Sequence, residues 1–343
     1  VEQGATLLNY VKAVSLIKKG EGVAGIISED MESGEKYTIH AKVVINATGV
    51  FTDSVRKMDD RQAQNIITSS QGVHLVLDKS FLPGNTAIMV PHTDDGRVLF
   101  AVPWYDRTLV GTTDTYVDDY LLDPIPQEDE IEFLLKHAAR YLTKDPLRSD
   151  VKSVFAGLRP LVKSSDSDHD TASISRDHVI TISRSGLISI SGGKWTTYRK
   201  MAEDVVEQAI VLGDLPETVS TTKTLHVHGY QNNSKNYGFL SVYGSDANEI
   251  DVLLNENPEY NKRLHPDHNI RIGEIIWAVR KEMARIVEDF LARRTRLLFL
   301  DAKASIEAAP IVSNMMAKEL KRDKNWIKNQ IESYSKLAKN YLP

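Results

Sequence analysis

The stretch Ser191-Gly192-Gly193-Lys194-Trp195-Thr196-Thr197-Tyr198-Arg199 decides how this chain is read. The apolar run from Leu187 to Ser191 predicts a strand in front of it, and the spacing behind it predicts a helix from about Thr196 to Leu212. Two glycines between a strand and a helix let a ligand come close to the backbone. The helix start adds unpaired N–H groups and the positive end of a dipole. Lys194 places a formal cation at the same point. Such a turn suits an anion, a phosphate or the negative charge on a reduced flavin ring. This reading is preferred over a plain Gly turn with a Thr cap and Lys194 in solvent.

Outward from that turn, Val43-Val44-Ile45 lacks alternation and predicts a strand buried on both faces, as in a parallel sheet. Asn46-Ala47-Thr48-Gly49 would then present backbone N–H groups at the carboxyl edge of a sheet, where cofactors sit. On the tetrapeptide alone, a plain strand-to-loop turn is an equal reading. Upstream, Val11 to Ile17 and Val23 to Ile27 predict hairpin strands, followed by Tyr37 to Ile39. Gly20-Glu21-Gly22-Val23-Ala24-Gly25 matches G-x-G-x-x-G, but a β-branched strand follows it where a dinucleotide fingerprint needs a helix. A hairpin turn is the better reading.

From about 70 to 114 the chain alternates, with Val73, Leu75 and Leu77 on one face, and predicts an antiparallel meander punctuated by Pro91, Asp94-Asp95-Gly96 and Pro103. A helix fits Gln127 to Tyr141, and strands resume at Ser153 to Ala156 and Val179 to Ser183. Residues 215–235 read as a linker. Beyond them Ile272 to Leu291 keep a 3.6 period over five turns, and Ala302 to Met316 and Asp323 to Leu337 predict further helices.

Composition narrows the function classes. The 343 residues carry a net charge of -5, so no single-sign surface for nucleic acid is built. The absence of Cys excludes disulfides, thiolate nucleophiles and Cys-ligated metals in this chain, and no metal site is expected. No apolar run approaches a bilayer span and no signal peptide is visible. The first residue is Val, and strand material follows at once; the expectation is a fragment whose N-terminal portion is left out.

Four cationic or titratable side chains stand out. Arg159 in Gly157-Leu158-Arg159-Pro160 and Arg176 in Ser175-Arg176-Asp177-His178 sit at strand edges and suit bidentate phosphate or carboxylate contact, although a surface ion pair explains either alone. His74 falls opposite in phase to Val73, Leu75 and Leu77, where a structural hydrogen bond is the commoner role. Asp114, after Gly111-Thr112-Thr113, suits a turn cap as well as a ligand contact. The run Arg293-Arg294-Thr295-Arg296 reads as a helix end complementing its dipole.

Taken together, these segments resemble the FAD-dependent glycerol-3-phosphate dehydrogenases and the related glycerophosphate oxidases. The matching stretches are Val43 to Gly49, Gly72-Val73-His74-Leu75, Val102-Pro103-Trp104 with Gly111 to Asp114, Gly157 to Pro160, Ser175-Arg176-Asp177 and Gly192 to Arg199. Ala278 to Arg280, Leu291 to Arg296 and Glu307 to Pro310 resemble the family's C-terminal cap. The resemblance implies an α/β (α+β) FAD-dependent oxidoreductase fold, incomplete for want of the N-terminal strand–G-x-G-x-x-G–helix unit. Residues 1–50 and 185–214 would be the remainder of the FAD-binding domain. Residues 51–184 would form the antiparallel-sheet substrate domain, and 236–343 an all-α cap behind the 215–235 linker.

The resemblance further implies oxidation of sn-glycerol 3-phosphate to dihydroxyacetone phosphate, with a hydride passing to FAD and electrons to a membrane quinone. Oxygen as acceptor, a fragment unable to hold FAD alone and an amine-oxidising relative are the alternatives. Arg159 and Arg176 would hold the substrate, His74 would lie near the reacting carbon, and Lys194 near the flavin ring. Val14, Asn46, Ala47, Thr48, Gly49, Gly192, Gly193, Lys194, Trp195, Thr196 and Thr197 would contact the cofactor. A homodimer in the cytoplasm, peripheral on the cytoplasmic membrane, completes what the resemblance implies.

Overall fold

The computed structural model describes residues 2–90, 93–94, 96–118, 120–163 and 177–343. In chain order the first strands are β1 (Val11–Lys19), β2 (Gly22–Asp30), β3 (Lys36–His40) and β4 (Ile45–Asn46), followed by helix α1 (Thr52–Asp59). Next come β5 (Ile67–Asp78), β6 (Ile88–Val90), β7 (Leu99–Trp104), β8 (Arg107–Gly111), β9 (Thr115–Val117) and helix α2 (Glu128–Ala138). Strands β10 (Ser153–Val162), β11 (His178–Ile182) and β12 (Ile188–Gly192) lead into α3 (Tyr198–Leu212). The last third holds α4 (Ala247–Glu256), β13 (Arg263–His265), β14 (His268–Arg271), α5 (Ile272–Lys281), α6 (Leu297–Leu300), α7 (Ala302–Leu320) and α8 (Lys324–Ala338). The chain divides into two compact units: Val1–Gly72, Asp114–Pro124 and Gly157–Leu225 form one, and the remainder forms the other.

In the first unit β1, β2 and β3 make an antiparallel sheet, and the tight turn after Lys19 places Gly20 to Gly25 in a hairpin, as the sequence indicates. A second sheet has β12 at its centre, antiparallel to β11 and parallel to β4. The parallel pairing expected from Val43-Val44-Ile45 is present, but the expected burial on both faces is not. Val43 and Val44 are half-buried and Ile45 is 38% exposed. Among the described residues β4 pairs only with β12, over Ile45 and Asn46, so its apolar side chains are covered on one side. One face of β12, Ile188 and Ile190, packs on Val205 and Ala209 of α3. Its other face carries Ser189 and Ser191, and Ser191 Oγ donates to Thr52 Oγ1 at the start of α1 (3.3 Å). An apolar layer on one side and a hydroxyl layer on the other fix which way the carboxyl end of β12 points.

The second unit contains the antiparallel β6–β7–β8 meander, with β5 joined to β8 rather than to β6. The order β10-β5-β8-β7-β6 is therefore not sequential. Pro103 lies inside β7 instead of ending it, and Pro91 and Asp95 fall outside the described residues. Val73, Leu75 and Leu77 are completely buried and face Ile131, Leu134 and Ala138 of α2. Burying each such side chain contributes roughly 1.5–3 kcal/mol, which is what pins the register of β5. Helix α2 begins where the acidic first turn predicts: Glu130 Oε2 accepts from Gln127 N (3.1 Å) and Glu130 Oε1 from Thr113 Oγ1 (2.7 Å).

The last third is helical apart from the β13–β14 hairpin. Its core gathers Phe290, Leu291, Leu297, Leu298 and Val312. The single helix expected over Ile272 to Leu291 is broken. Helix α5 stops at Lys281, Met283 takes a φ of 57°, and the chain restarts as a π-helical turn over Asp289–Arg294. Ala284 N donates to Ala278 O (3.0 Å) to close α5, and Asp289 Oδ2 accepts from Arg285 N (2.8 Å) to open the next segment. The 3.6 period survives the break because both pieces bury their apolar side chains in one core. The basic run does more than face a dipole: Arg293 pairs with Asp289 (2.9 Å), and Arg294 Nε donates to Glu282 O (3.1 Å) across the break. Among the described residues no helix is long and apolar enough to cross a membrane.

Candidate functional site

The first unit places two loops at the carboxyl ends of the parallel strands β4 and β12. In the first loop Asn46 is 2% exposed and its side chain is engaged within the protein. Asn46 Nδ2 donates to Thr52 O (3.0 Å) and to Ser189 Oγ (3.2 Å), and its Oδ1 accepts from Thr48 Oγ1 (2.7 Å). Asn46 thus fixes the turn by its side chain and leaves Ala47 and Thr48 exposed at its crest. Gly49, with a φ of 59°, then turns the chain into α1.

The second loop is the Gly192-Gly193 turn, where φ is 74° and 76°. A Cβ on Gly192 would lie 2.7 Å from Asp177 O, and one on Gly193 would lie 2.5 Å from Met201 Sδ. Backbone packing thus requires Gly192, and the positive φ favours glycine at both positions, reasons that sequence alone does not reveal. Lys194 is exposed, and Trp195, 86% exposed, stacks on Tyr198 at 5.5 Å. A 3₁₀ turn over Trp195–Thr197 precedes α3, in which Thr197 Oγ1 donates to Lys194 O (3.0 Å). The α-helix proper begins at Tyr198, two residues later than the spacing suggests. Beyond it, Arg199 pulls Glu203 down to about 2, and Lys200 with His178 holds Asp204 low. These pairs lie along the first turns of α3.

Arg159 on β10 is not a solvent-facing ion pair. Its side chain is 29% exposed, Nη1 donates to Ser70 Oγ (3.1 Å), and Asp114 Oδ1 lies 3.8 Å away. Ser70, fully buried, itself donates to Asp114 in a short hydrogen bond. One guanidinium edge is thus held by a hydroxyl–carboxylate pair, which sets its direction. The sequence flagged Asp114 without a partner and did not flag Ser70, 44 residues away. Three residues later on the same strand, Val162 touches the position a Gly192 Cβ would occupy, at 3.3 Å. Val14 lies at a register shift in β1 of the three-stranded sheet. Arg176 lies outside the described residues.

The second unit positions His74. On β5 it pairs across the sheet with Gly111, where a Cβ would stand 2.3 Å from His74 Cδ2, so the imidazole lies directly over the glycine. Phe155 stacks on the ring at 5.2 Å with 15° between planes. Half-buried while Val73 and Leu75 are fully buried, His74 occupies the opposite phase that alternation predicts.

For FAD, the group the resemblance implies, the first unit offers a fitting donor set. Exposed Ala47 and Thr48, the glycine turn and the exposed Lys194 ammonium would suit an anionic, planar cofactor at the carboxyl edge of a parallel pair. Among the described residues no group of three His, Cys, Asp or Glu side chains is arranged to hold a metal ion.

A model of the FAD dependent oxidoreductase family matches residues 1–199, and one of the C-terminal domain of alpha-glycerophosphate oxidase matches residues 184–326. The mitochondrial glycerol-3-phosphate dehydrogenase of Macaca fascicularis is 39% identical over 99% of this chain and 50% of its own length. That of Homo sapiens is 39% identical over 97% of this chain and 49% of its own length. The chain thus spans about half the length of the curated relatives it matches. The crystal structure of the glycerol-3-phosphate dehydrogenase from Bacillus halodurans complexed with FAD superposes with a TM-score of 0.85 at 28% identity, covering 100% of this chain and 71% of that one. Because the family model spans residues 1–199, more than half of its 343 residues, the chain belongs to the FAD dependent oxidoreductases.

Proposed function

We propose that the full-length protein oxidises sn-glycerol 3-phosphate to dihydroxyacetone phosphate. The observation that carries this reading is the match over 99% of the chain to a glycerol-3-phosphate dehydrogenase. The anchored Arg159 supports it in physical terms. A phosphate leaving water needs fixed cations, and a guanidinium presents parallel N–H donors that fit its oxygens. Arg159 fills that role together with Arg176. Residues 1–50 and 185–214 act as the cofactor-binding part, 51–184 as the substrate part and 236–343 as a cap joined by the 215–235 linker.

Bound FAD supplies the acceptor for the hydride that leaves C2 of the substrate. The chain supplies everything that makes the transfer directional. Ala47, Thr48, Gly49, Gly192, Gly193 and Trp195 to Thr197 line the cofactor, with Asn46 holding the first loop in shape. Lys194 places positive charge where electron density arrives. His74, as neutral imidazole, takes the proton from the C2 hydroxyl, so that alcohol becomes ketone with both hydrogens accounted for. The rate gain rests on holding C2, hydroxyl and acceptor in one geometry.

Electrons then pass to a membrane quinone, with the protein peripheral on the membrane. The match of residues 184–326 to the C-terminal domain of alpha-glycerophosphate oxidase favours a second reading with oxygen as acceptor. Stopped-flow reoxidation of the full-length protein separates them: fast reaction with a quinone analogue and slow reaction with oxygen supports the dehydrogenase. Arg159→Ala tests the substrate itself. The expected result is a KM for glycerol 3-phosphate raised roughly 10- to 100-fold, the loss of a charged hydrogen-bond partner. An unchanged KM overturns the reading.

A further inference from the structure

We propose that Phe155 is a positioning residue for His74, and that the helical part of the chain sets the imidazole through Phe299. The inference rests on the proton-accepting role given above to His74. It starts from the floor and wall of the ring. Gly111 provides the floor, since any side chain there would occupy the imidazole's place. Phe155 provides the wall, nearly parallel at 5.2 Å. With both sides fixed, rotation of the imidazole about its last torsion meets either backbone or an aromatic face.

Phe155 is itself held from the helical side. Phe299, on α6, meets it edge-on at 5.0 Å and 74°, and Tyr341 meets Phe299 at 5.6 Å and 72°. Trp104 on β7 closes the third side of Phe155 at 6.4 Å. Edge-to-face pairs of this kind prefer one mutual orientation, so the ring set behaves as a ladder rather than a greasy contact. Two hydrogen bonds keep the ladder's ends in register: Ser153 Oγ donates to Leu298 O (3.0 Å), and Ala302 N donates to Lys152 O (3.1 Å). On the other side Lys152 N donates to Val76 O of β5 (2.7 Å), two residues from His74. Phe299, 225 residues beyond His74 in sequence, thereby fixes one side chain on β5. Small displacements of a reacting group are costly in rate, on the order of 100-fold for an ångström.

The test compares His74→Gln, Phe155→Leu, Phe299→Leu, Gly111→Ala and the double variant H74Q/F155L in the full-length enzyme, each checked for flavin content. Phe155→Leu is expected to lower kcat roughly 10- to 100-fold with little change in KM, and to alter the pH profile of kcat. Phe299→Leu gives a smaller loss of the same kind, and Phe155→Tyr, which keeps the stack, restores the rate. Gly111→Ala, which pushes the ring from the opposite side, gives a similar kcat loss without touching the helical part. In the H74Q background F155L has no further effect. An additive double variant, or a Phe155→Leu enzyme with normal kcat, overturns the positioning role while leaving the reaction intact. A His74→Gln enzyme with normal kcat overturns the proton-accepting role and this inference with it. Should Phe155→Leu fail to retain flavin, Phe299→Leu and Gly111→Ala decide the matter alone.

Discussion

At the scale of single residues, the site is built by side chains that serve other side chains. Ser70 and Asp114 hold Arg159 by one edge, and Asn46 holds the loop that exposes Ala47 and Thr48. Asp114→Ala should leave the Ser70 hydroxyl without its acceptor and loosen the guanidinium. The KM for glycerol 3-phosphate should rise about fivefold, one neutral hydrogen bond's worth and less than for Arg159→Ala, in steady-state assays. Gly193→Ala brings two penalties, a positive φ and a Cβ 2.5 Å from Met201 Sδ. A loss of roughly 1–3 kcal/mol is expected in thermal unfolding, with part of it recovered in a Met201→Ala background. The glycine pair was legible in the sequence because it interrupts a strand–helix junction. The Ser70–Asp114 support was not, because a strand residue and a loop residue 44 positions apart carry no periodic signal.

At the scale of elements, alternation and capping were readable and breaks were not. Helix α2 was marked by Pro126 and by Glu128-Asp129-Glu130 at the positive end of its dipole, while the Gln127–Glu130 cap is seen only in the structure. The apolar period over Ile272 to Leu291 spoke equally for one helix or for two pieces sharing a core. At the other end of α5 from the break lies a buried carboxyl. Glu274, 5% exposed, accepts from Arg271 N (2.5 Å) and from Tyr243 OH (2.6 Å). Burial raises it from 4.5 to about 7 against those hydrogen bonds. The folded state therefore binds this proton more tightly than the unfolded chain. Its stabilising contribution is complete below pH 4.5, falls as pH rises, and is lost above pH 7. The swing is about 3 kcal/mol, taking 1.36 kcal/mol per unit. Glu274→Gln keeps an acceptor for Arg271 N and removes the titration. Its denaturation midpoint should change less between pH 5 and pH 8 than that of the parent, and parallel curves for the two proteins would remove Glu274 from the account.

At the scale of the molecule, the family and the succession of elements were legible because glycine turns, alternation and helical periods are local. The sheet order β10-β5-β8-β7-β6 was not, since β5 reaches past two strands to find β8 and nothing near Ile67–Asp78 marks that partner. The alliance of the helical tail with the sheet was also hidden, resting as it does on Phe155, Phe299 and two hydrogen bonds. It has a consequence for cleavage. Thr221 to His226 are exposed and carry no strand or helix, while residues 226–343 belong to one compact unit with 73–113 and 125–156. A covalent cut there removes only chain continuity, because the contacts that define the unit are non-covalent and lie on either side of the cut. A specific protease site inserted after Thr222 should yield two fragments that co-elute at the parent's size in native chromatography and separate only in denaturant. The cut protein should keep its His74–Phe155 geometry, and so its kcat. Release of the C-terminal fragment under native conditions would mean that the ring ladder and the Ser153–Leu298 and Lys152–Ala302 bonds do not hold the tail, and the helical part could then have no hand in placing His74.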